Sequence, residues 1–209
     1  MASWLGDLLI RLKVETADFQ QDLGKAAHVA EGAARKVNTA LAGIGVGVSV
    51  AGITLAVKSA IDLGDELNKL SLKTGRSVEE LSKLRYAAVL GDVSMETFTK
   101  GMRDFNRSMV EAADPQSKLA RLFTALGVDI SKGPTVAFRQ FAEAFSKWPE
   151  NELRAAVAME VLRKAGAEFI PVLVGGAKAL DDAADQAERF GRVVSTDFAQ
   201  QADLFNDNL

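Results

Sequence analysis

The chain has 209 residues, of which 48% are hydrophobic and 25% are charged, and its net charge at pH 7 is −3. This balance is typical of a folded protein and argues against intrinsic disorder. The absence of Cys excludes disulfides and thiolate metal sites, the single His leaves little for histidine-based metal sites, and the charge balance gives no indication of specific nucleic-acid binding.

Residues 1–36 are predicted to form a short β-strand followed by an Ala-rich helix. In the stretch LLIRLKVE (residues 8–15), apolar residues alternate with charged ones, as they do in a half-buried strand. Apolar residues then recur at heptad spacing from Phe19 and Leu23 through a series of alanines. This spacing favours close packing of helices, either between chains or within one domain, and makes Phe19 and Leu23 candidate association residues.

Residues 37–58 contain a hydrophobic segment whose conformation is ambiguous. Its 21 uncharged residues would span about 32 Å as a helix, close to the thickness of a bilayer's hydrocarbon core. Gly43, Gly47 and Ala51 lie four residues apart, which creates a face along which two helices can approach closely. Residues 44–50 also alternate between branched and small side chains, as in a strand. We predict a helix that is buried or faces another subunit, and a membrane anchor is the alternative.

Residues 59–209 are predicted to form a core of short amphipathic helices separated by capping residues, Gly and Pro. Ser77 and Glu80 form a capping-box motif, Ser94 is expected to cap the next helix, and the Asp114–Pro115 dipeptide is expected to start a third.

Several apolar stripes in this region have helical spacing and are predicted to face a core. One stripe comprises Met95, Phe98, Met102, Phe105 and Met109; a second comprises Phe138, Phe141, Phe145 and Trp148; a third comprises Leu153, Ala156, Val157 and Val161. The helix that carries the third stripe is expected to end at Gly166, because Gly commonly follows the last helical residue.

The predicted fold class is mainly α, with a succession of short amphipathic helices, longer N-terminal helices and one short N-terminal β-strand. The last helix is still amphipathic where the sequence stops at Leu209, so we expect the helical core to be cut at its C-terminal end.

The sequence offers little for catalysis, and we predict no enzyme, cofactor or metal site. His28 is the single candidate base of the usual kind, and it lies in an Ala-rich helical stretch. The glycine-rich stretch at 43–52 lacks the Gly-Lys-Ser/Thr ending of a phosphate-binding loop. Adjacent acidic residues such as Asp181 and Asp182 point around a helix rather than toward one site, so capping and solvation explain them.

Two long blocks resemble the phage tail tape measure proteins. The first, residues 60–91, contains DELNKLSLKTGRSVEELSKLRYAAVLG, in which a helix is followed by a Lys-Thr-Gly turn, a Ser-Val-Glu-Glu-Leu cap and an Ala-rich helix. The second, residues 154–209, contains AMEVLRKAGAEFIPVLVGGAKALDDAADQAERFGRVV. The family has a Phe-Gly pair where Leu162 and Arg163 stand here, which is a departure from its pattern. The opening segment, residues 8–27, also fits.

The resemblance implies a virion structural protein that lies in the lumen of the tail tube, sets tail length and scaffolds tube assembly in the host cytoplasm. The implied partners are further copies of the chain, tail-tube and tail-tip proteins, and assembly chaperones, with possible contact to the host membrane. Even one unbroken helix of 209 residues would reach only about 310 Å, so we expect this chain to be the N-terminal part of a longer protein. The alternative is a membrane-perturbing helical protein that acts through residues 37–57 during genome delivery.

Overall fold

The structure of the protein is a computed structural model that describes residues 50–149 and 152–207. Between residues 58 and 204 the described chain is 81% helical and contains no β-strand, which confirms the mainly α class. The predicted N-terminal strand, residues 8–15, lies outside the described residues.

Nine α-helices are present in the described residues, and short turns join them. They are α1 (Val50–Thr74), α2 (Val78–Leu90), α3 (Met95–Ala112), α4 (Lys118–Ala125), α5 (Pro134–Ser146), α6 (Glu152–Leu162), α7 (Gly166–Leu173), α8 (Gly176–Arg189) and α9 (Thr196–Asp207). Two 3₁₀ turns, Ile130–Lys132 and Arg163–Ala165, come before α5 and α7. Across this described part of the chain, no helix has both the length and the apolarity needed to span a bilayer.

The chain divides into two compact units. The central unit is Lys69–Thr196, and the terminal unit combines Met1–Asn68 with Asp197–Leu209. In the terminal unit, the description covers residues 50–68 and 197–207.

Serine side chains fix the beginnings of α2 and α3, as predicted. At the start of α2, Ser77 Oγ accepts the backbone N–H of Glu80 and the Glu80 carboxylate accepts the N–H of Ser77, both at 3.2 Å. Ser94 Oγ likewise accepts the N–H of Thr97 at 3.1 Å at the start of α3. Each cap satisfies a backbone donor that the first turn of a helix leaves unpaired.

The third predicted cap was wrong by three residues. Helix α4 begins after Ser117, whose Oγ accepts the N–H of Ala120 at 2.9 Å. Asp114 instead accepts the N–H of Gln116 at 2.9 Å and closes a turn ahead of the helix. Both Asp and Ser can cap a helix, so the Asp-Pro motif alone does not decide which residue does so.

The core of the central unit is a cluster of phenylalanine rings contributed by four helices. Its members are each 2% exposed or less: Phe98, Phe105, Phe123, Phe138, Phe141, Phe145 and Phe169. The Phe105 ring centroid lies 5.1 Å from that of Phe138 in an edge-to-face arrangement and 6.0 Å from that of Phe123, which are favourable geometries for aromatic pairs. The first two predicted stripes therefore face the core through their phenylalanines, while Met95, Met109 and Trp148 are half-buried.

Helix α6 differs from its prediction in where it ends and in which face is buried. The helix stops at Leu162 rather than at Gly166, because the backbone turns left-handed at Arg163, with φ of +51°. Gly166 instead begins α7. The buried positions of α6 are Arg154, Ala158, Val161 and Leu162, whereas Leu153 and Ala156 of the predicted stripe are exposed.

In the terminal unit, α1 and α9 pack against each other through small residues. A Cβ added at Gly64 would lie 2.9 Å from Ala202 Cβ and 3.0 Å from the Phe198 ring. The amide of Asn68 donates to Asp203 at 3.0 Å, and the amide of Asn206 donates to Asp65 at 3.0 Å. The two bonds pair the residues in reverse order, so these helices run antiparallel.

Candidate functional site: the junction of α2 and α8

The two blocks that carry the family resemblance meet inside the central unit. Residues from the first turns of α2 contact the segment that follows α8, and we call these contacts the junction: Glu79, Ser82, Arg192, Val194 and Thr196. The helices themselves pack along their length, burying Leu81 and Ala88 of α2 and Leu180, Ala183 and Ala187 of α8.

Ser82 holds the segment after α8 to α2 with two hydrogen bonds. Its hydroxyl donates to the Arg192 carbonyl at 3.1 Å and accepts the Val194 N–H at 2.9 Å. The Ser82 side chain is buried, whereas the two backbone groups that it binds are partly buried. Ser82 thus provides both the acceptor and the donor for two backbone groups of a segment that is neither helix nor strand.

Glu79 holds the end of the same segment. Its carboxylate accepts the Thr196 backbone N–H at 2.6 Å and the Thr196 hydroxyl at 2.9 Å. Partial burial acts to raise the pKa of Glu79, but the hydrogen bonds from Thr196 and the positive charge of Lys83 outweigh it and lower the pKa below its usual value. The carboxylate is therefore ionised at neutral pH and is a strong acceptor.

Arg76, in the turn before α2, is a charge buried against the phenylalanine cluster. Its side chain is 2% exposed, and its guanidinium lies 5.5 Å from the Phe105 ring centroid and 5.8 Å from that of Phe138. One Nη donates to the Pro134 carbonyl at 2.9 Å, while Nε has no protein partner. Burial lowers the pKa of Arg76 to about 10, although the charge of Glu80 opposes the shift.

Ion pairs at the surface join α8 to its neighbours. Arg139 of α5 makes a two-bonded pair with Asp181, which lowers the pKa of that carboxyl and raises the pKa of the guanidinium. Lys83 of α2 lies 2.5 Å from Glu188. Both pairs are about half exposed, so each contributes at most about 1 kcal/mol.

The beginning of α8 is capped by another helix. Glu143 of α5 accepts the N–H of Ala177 at 3.2 Å, and its pKa is lowered mainly by its hydrogen bond with Lys147 and by this bond. Gly176 has φ of +68°, and a Cβ there would lie 2.8 Å from Ser146 Oγ. A glycine at this position therefore permits both the left-handed turn and the close approach of α5.

Two open depressions of the central unit differ in their lining: one of about 490 Å³ is lined by charged and polar side chains of α8, from Asp182 to Arg189. A depression of about 520 Å³ beside α4 is lined mostly by apolar residues, among them Ala112, Phe123 and Val128. Within residues 50–149 and 152–207, no three acidic or histidine side chains come together as metal ligands would. The side chains of the described site hold helices to one another through caps, buried hydroxyls and ionised acids.

The residues predicted to associate helices fall largely outside the described chain. Phe19, Leu23, Gly43 and Gly47 lie before residue 50, as does His28. Ala51 lies in α1, where the description covers its backbone only.

The sequence reasoning missed Arg76, Ser82 and the contact of Gly64 with α9. The spacing of Ser82 with Leu81 and Ala88 does not distinguish it from a surface serine, and nothing in the sequence marks Arg76 as buried. Ala60 and Gly64 repeat the four-residue spacing of small residues in the preceding segment, and this signal could have identified Gly64.

The chain matches no family model, and it has no significant match among curated proteins or among solved structures.

Proposed function

We propose that this chain is a virion structural protein, the N-terminal part of a tail tape measure protein that sets tail length and scaffolds tube assembly from inside the lumen. The proposal rests on the sequence resemblance of residues 60–91 and 154–209, and one structural observation carries it further.

That observation concerns Arg163, where the chain departs from the family's Phe-Gly pattern. Its backbone has φ of +51°, in the left-handed region that glycine adopts without strain. Helices commonly end with a left-handed residue, usually Gly, directly after the last helical one. Arg163 follows Leu162, the last residue of α6. The backbone of Arg163 therefore has the left-handed conformation that the family's glycine would favour at this position, although the side chain differs.

The junction gives a second, weaker support. The two resembling blocks are separated by more than sixty residues of sequence, and their central parts are joined by Ser82 and Glu79. Two blocks that form one packing unit are expected to recur together in a family, since a change in one alters the contacts of the other.

The central unit in its described fold is compact, so it does not act as an extended ruler in this form. As one continuous helix its 128 residues would reach about 190 Å, whereas its longest complete helix, α3, has 18 residues and reaches about 27 Å. In the proposal, the central unit is either unravelled inside the tube or serves as a folded end piece, and chain beyond it sets most of the length.

The test is an in-frame deletion of codons 69–196 in the phage that carries this gene, with tail length measured by electron microscopy. An extended central unit predicts tails about 190 Å shorter, and a folded end piece predicts that tubes fail to assemble. Peptides of this chain should also be found in purified tails. The Ser59→Ala variant, which changes an exposed hydroxyl, should leave tails unchanged. Normal tails after the deletion would contradict the proposal.

A membrane-perturbing role through residues 37–57 is the second candidate, because these 21 residues carry no charge. The matching experiment is dye leakage from lipid vesicles. Charged substitutions at Val46 and Val50 should abolish leakage, because each places a charge in the apolar segment. Leakage that persists in both variants would argue against this candidate.

A further inference from the structure

Helices α1 and α9 carry the same four-residue pattern on the faces that meet in the terminal unit. In each helix a buried apolar residue is followed three positions later by a small residue, then directly by Asp, and three positions after that by Asn. The pattern consists of Ile61, Gly64, Asp65 and Asn68 in α1, which we call the α1 face, and of Ala199, Ala202, Asp203 and Asn206 in α9. Among the asparagines of the whole chain, only these two have Asp three residues before them. The repeated pattern is therefore specific to the two helices that pair.

The two faces bind each other reciprocally. The Asn68 amide donates to Asp203 and the Asn206 amide donates to Asp65, both at 3.0 Å. Beside these bonds, the small residues of the two patterns approach each other closely, since a Cβ added at Gly64 would lie 2.9 Å from the Ala202 Cβ. Exchanging the two helices turns each of these contacts into a contact of the same kind. A helix that carries the pattern therefore fits a second, antiparallel copy of itself about a two-fold axis.

The charges of the two helices decide which of them can pair with its own kind. Helix α9 carries three acidic residues and no basic one, so two α9 helices side by side would gather acids alone. Helix α1 carries three basic and three acidic residues, and its Lys58 pairs with Asp62 at 3.0 Å. A pair of α1 helices therefore brings together equal numbers of acids and bases, and it is the pairing that charge permits.

We propose that the α1 face binds the α1 face of a second copy of this chain when α9 leaves it, with each Asn68 amide donating to Asp65 of the other copy. Within one chain, α9 competes for the same face with the high effective concentration of a tethered partner. The contact between copies is therefore conditional, and release of α9 makes it available. This deepens the self-association that the proposed function implies, and it rests on that function for its biological setting.

Cysteine cross-linking of full-length variants tests the contact, because the chain has no cysteine of its own. Gly64→Cys adds a side chain that pushes Ala202 away, and the two-fold sets the two new thiols against each other within reach of a disulfide. Mild oxidation at about 200 µM protein should convert most of this variant to a disulfide dimer.

Two matched cysteine variants are the controls. Ser59→Cys places the thiol at an exposed position of the same helix that lies off the α1 face. Ala202→Cys places it at the equivalent position of the acidic helix α9. Each should give about fivefold less dimer than Gly64→Cys.

Reversing the polar pair identifies the partner. Adding Asn68→Asp to Gly64→Cys should lower the dimer yield about fivefold, because a carboxylate then faces Asp65 of the other copy. Adding Asp65→Asn as well exchanges the two positions and again gives each carboxylate an amide donor between copies, so the yield should recover. The exchange does not restore the pairing with α9, since it sets an amide against Asn206 and an acid against Asp203. Recovery therefore shows that the partner is α1 of a second copy.

Sedimentation equilibrium tests the contact without altering α1. Asn206→Asp places a carboxylate in α9 opposite Asp65, so it should release α9 and raise the dimer fraction about fivefold above that of the wild type. Adding Asn68→Asp should cancel the increase. Circular dichroism verifies that each variant is folded, which is expected because the substitutions lie outside the phenylalanine cluster.

Three results would overturn the α1 contact: a dimer yield of Gly64→Cys no higher than that of either control, no recovery with Asp65→Asn, or an unchanged dimer fraction in Asn206→Asp. None of them bears on tail length, which the deletion of codons 69–196 measures separately. Conversely, normal tails in that deletion would remove the proposed function and leave this contact untouched, because residues 61–68 lie outside the deletion.

Discussion

Ser82 and Val194 are joined by a hydrogen bond of 2.9 Å although 112 residues of sequence separate them. Replacing Ser82 by Ala removes its hydrogen bonds to the partly buried Val194 N–H and Arg192 carbonyl, which should cost about 1 kcal/mol. We expect chemical denaturation of the Ser82→Ala variant to show this loss. The control is Ser59→Ala, where the hydroxyl is exposed and the change should stay within about 0.5 kcal/mol. Equal stability of the two variants would mean that Ser82 does not hold the junction.

Glu79 makes the stability of the central unit depend on pH. Its pKa in the folded state is lowered from 4.5, so the unfolded chain binds the proton more tightly. The stabilisation is therefore complete well above pH 4.5 and is lost as the pH falls through the folded-state pKa. Glu79→Gln should be less stable than wild type by about 1 kcal/mol at pH 7, and the difference should shrink at pH 3.

The control for this titration is Glu66→Gln, since Glu66 is exposed and makes no hydrogen bond or ion pair within the described residues. Its difference from wild type should be small at both pH values. A Glu79→Gln difference that is unchanged between pH 7 and pH 3 would contradict the role assigned to the carboxylate.

Arg76 is expected to stabilise the phenylalanine cluster more through its volume than through its charge. Arg76→Ala leaves a cavity between Phe105 and Phe138 and should cost about 2–4 kcal/mol. Arg76→Met fills much of the same space and removes the need to bury a cation, so it should cost clearly less. Thermal unfolding of both variants provides the comparison. A Met variant as unstable as the Ala variant would show instead that the bond to Pro134 dominates.

Gly101 is required by the close approach of Phe169 to α3. A Cβ at position 101 would lie 2.5 Å from Phe169 Cε2, so the ring must shift within a packed core. Gly101→Ala gains about 1 kcal/mol of helix propensity but loses about 1–3 kcal/mol to overpacking, and we expect net destabilisation. Combining it with Phe169→Leu should recover part of the loss, and a double-mutant cycle measures that coupling. If the changes in unfolding free energy of the two single variants simply add in the double variant, the result would argue against a contact between Gly101 and Phe169.

The left-handed backbone of Arg163 predicts an unusual order of stabilities. Arg163→Gly relieves strain of about 1–2 kcal/mol, whereas Arg163→Ala keeps it, and both lose the ion pair with Glu111. The Gly variant should therefore be the more stable of the two. At Lys164, where φ is not positive, Gly should be less stable than Ala by about 0.5–1 kcal/mol. If Ala were more stable than Gly at position 163 as well as at position 164, the backbone of Arg163 would not be strained.

The sequence was informative where local chemistry decides the structure. The capping box at Ser77 and the phenylalanine spacing in α3 and α5 predicted helices and a buried face, because both signals lie within one or two turns. The end of α6 was mispredicted for the opposite reason. A left-handed arginine carries no sequence signature, so Gly166 was the stronger stop signal although it begins the next helix.

The junction could not be predicted because its partners are distant in sequence. Glu79 is one of two adjacent acids at the start of α2, and only the folded chain places Thr196 beside it. Similarly, α6 buries the charged Arg154 and exposes Leu153 and Ala156, so the apolar spacing of its sequence indicated the wrong face.

The contact of Glu79 with Thr196 also determines how the central unit responds to mechanical load. Thr196 is the last residue of the unit, and Glu79 lies only ten residues after its first. A pull on Thr196 away from α2 would load the two hydrogen bonds of Glu79 first and those of Ser82 next, so the segment after α8 would detach from α2 one contact at a time.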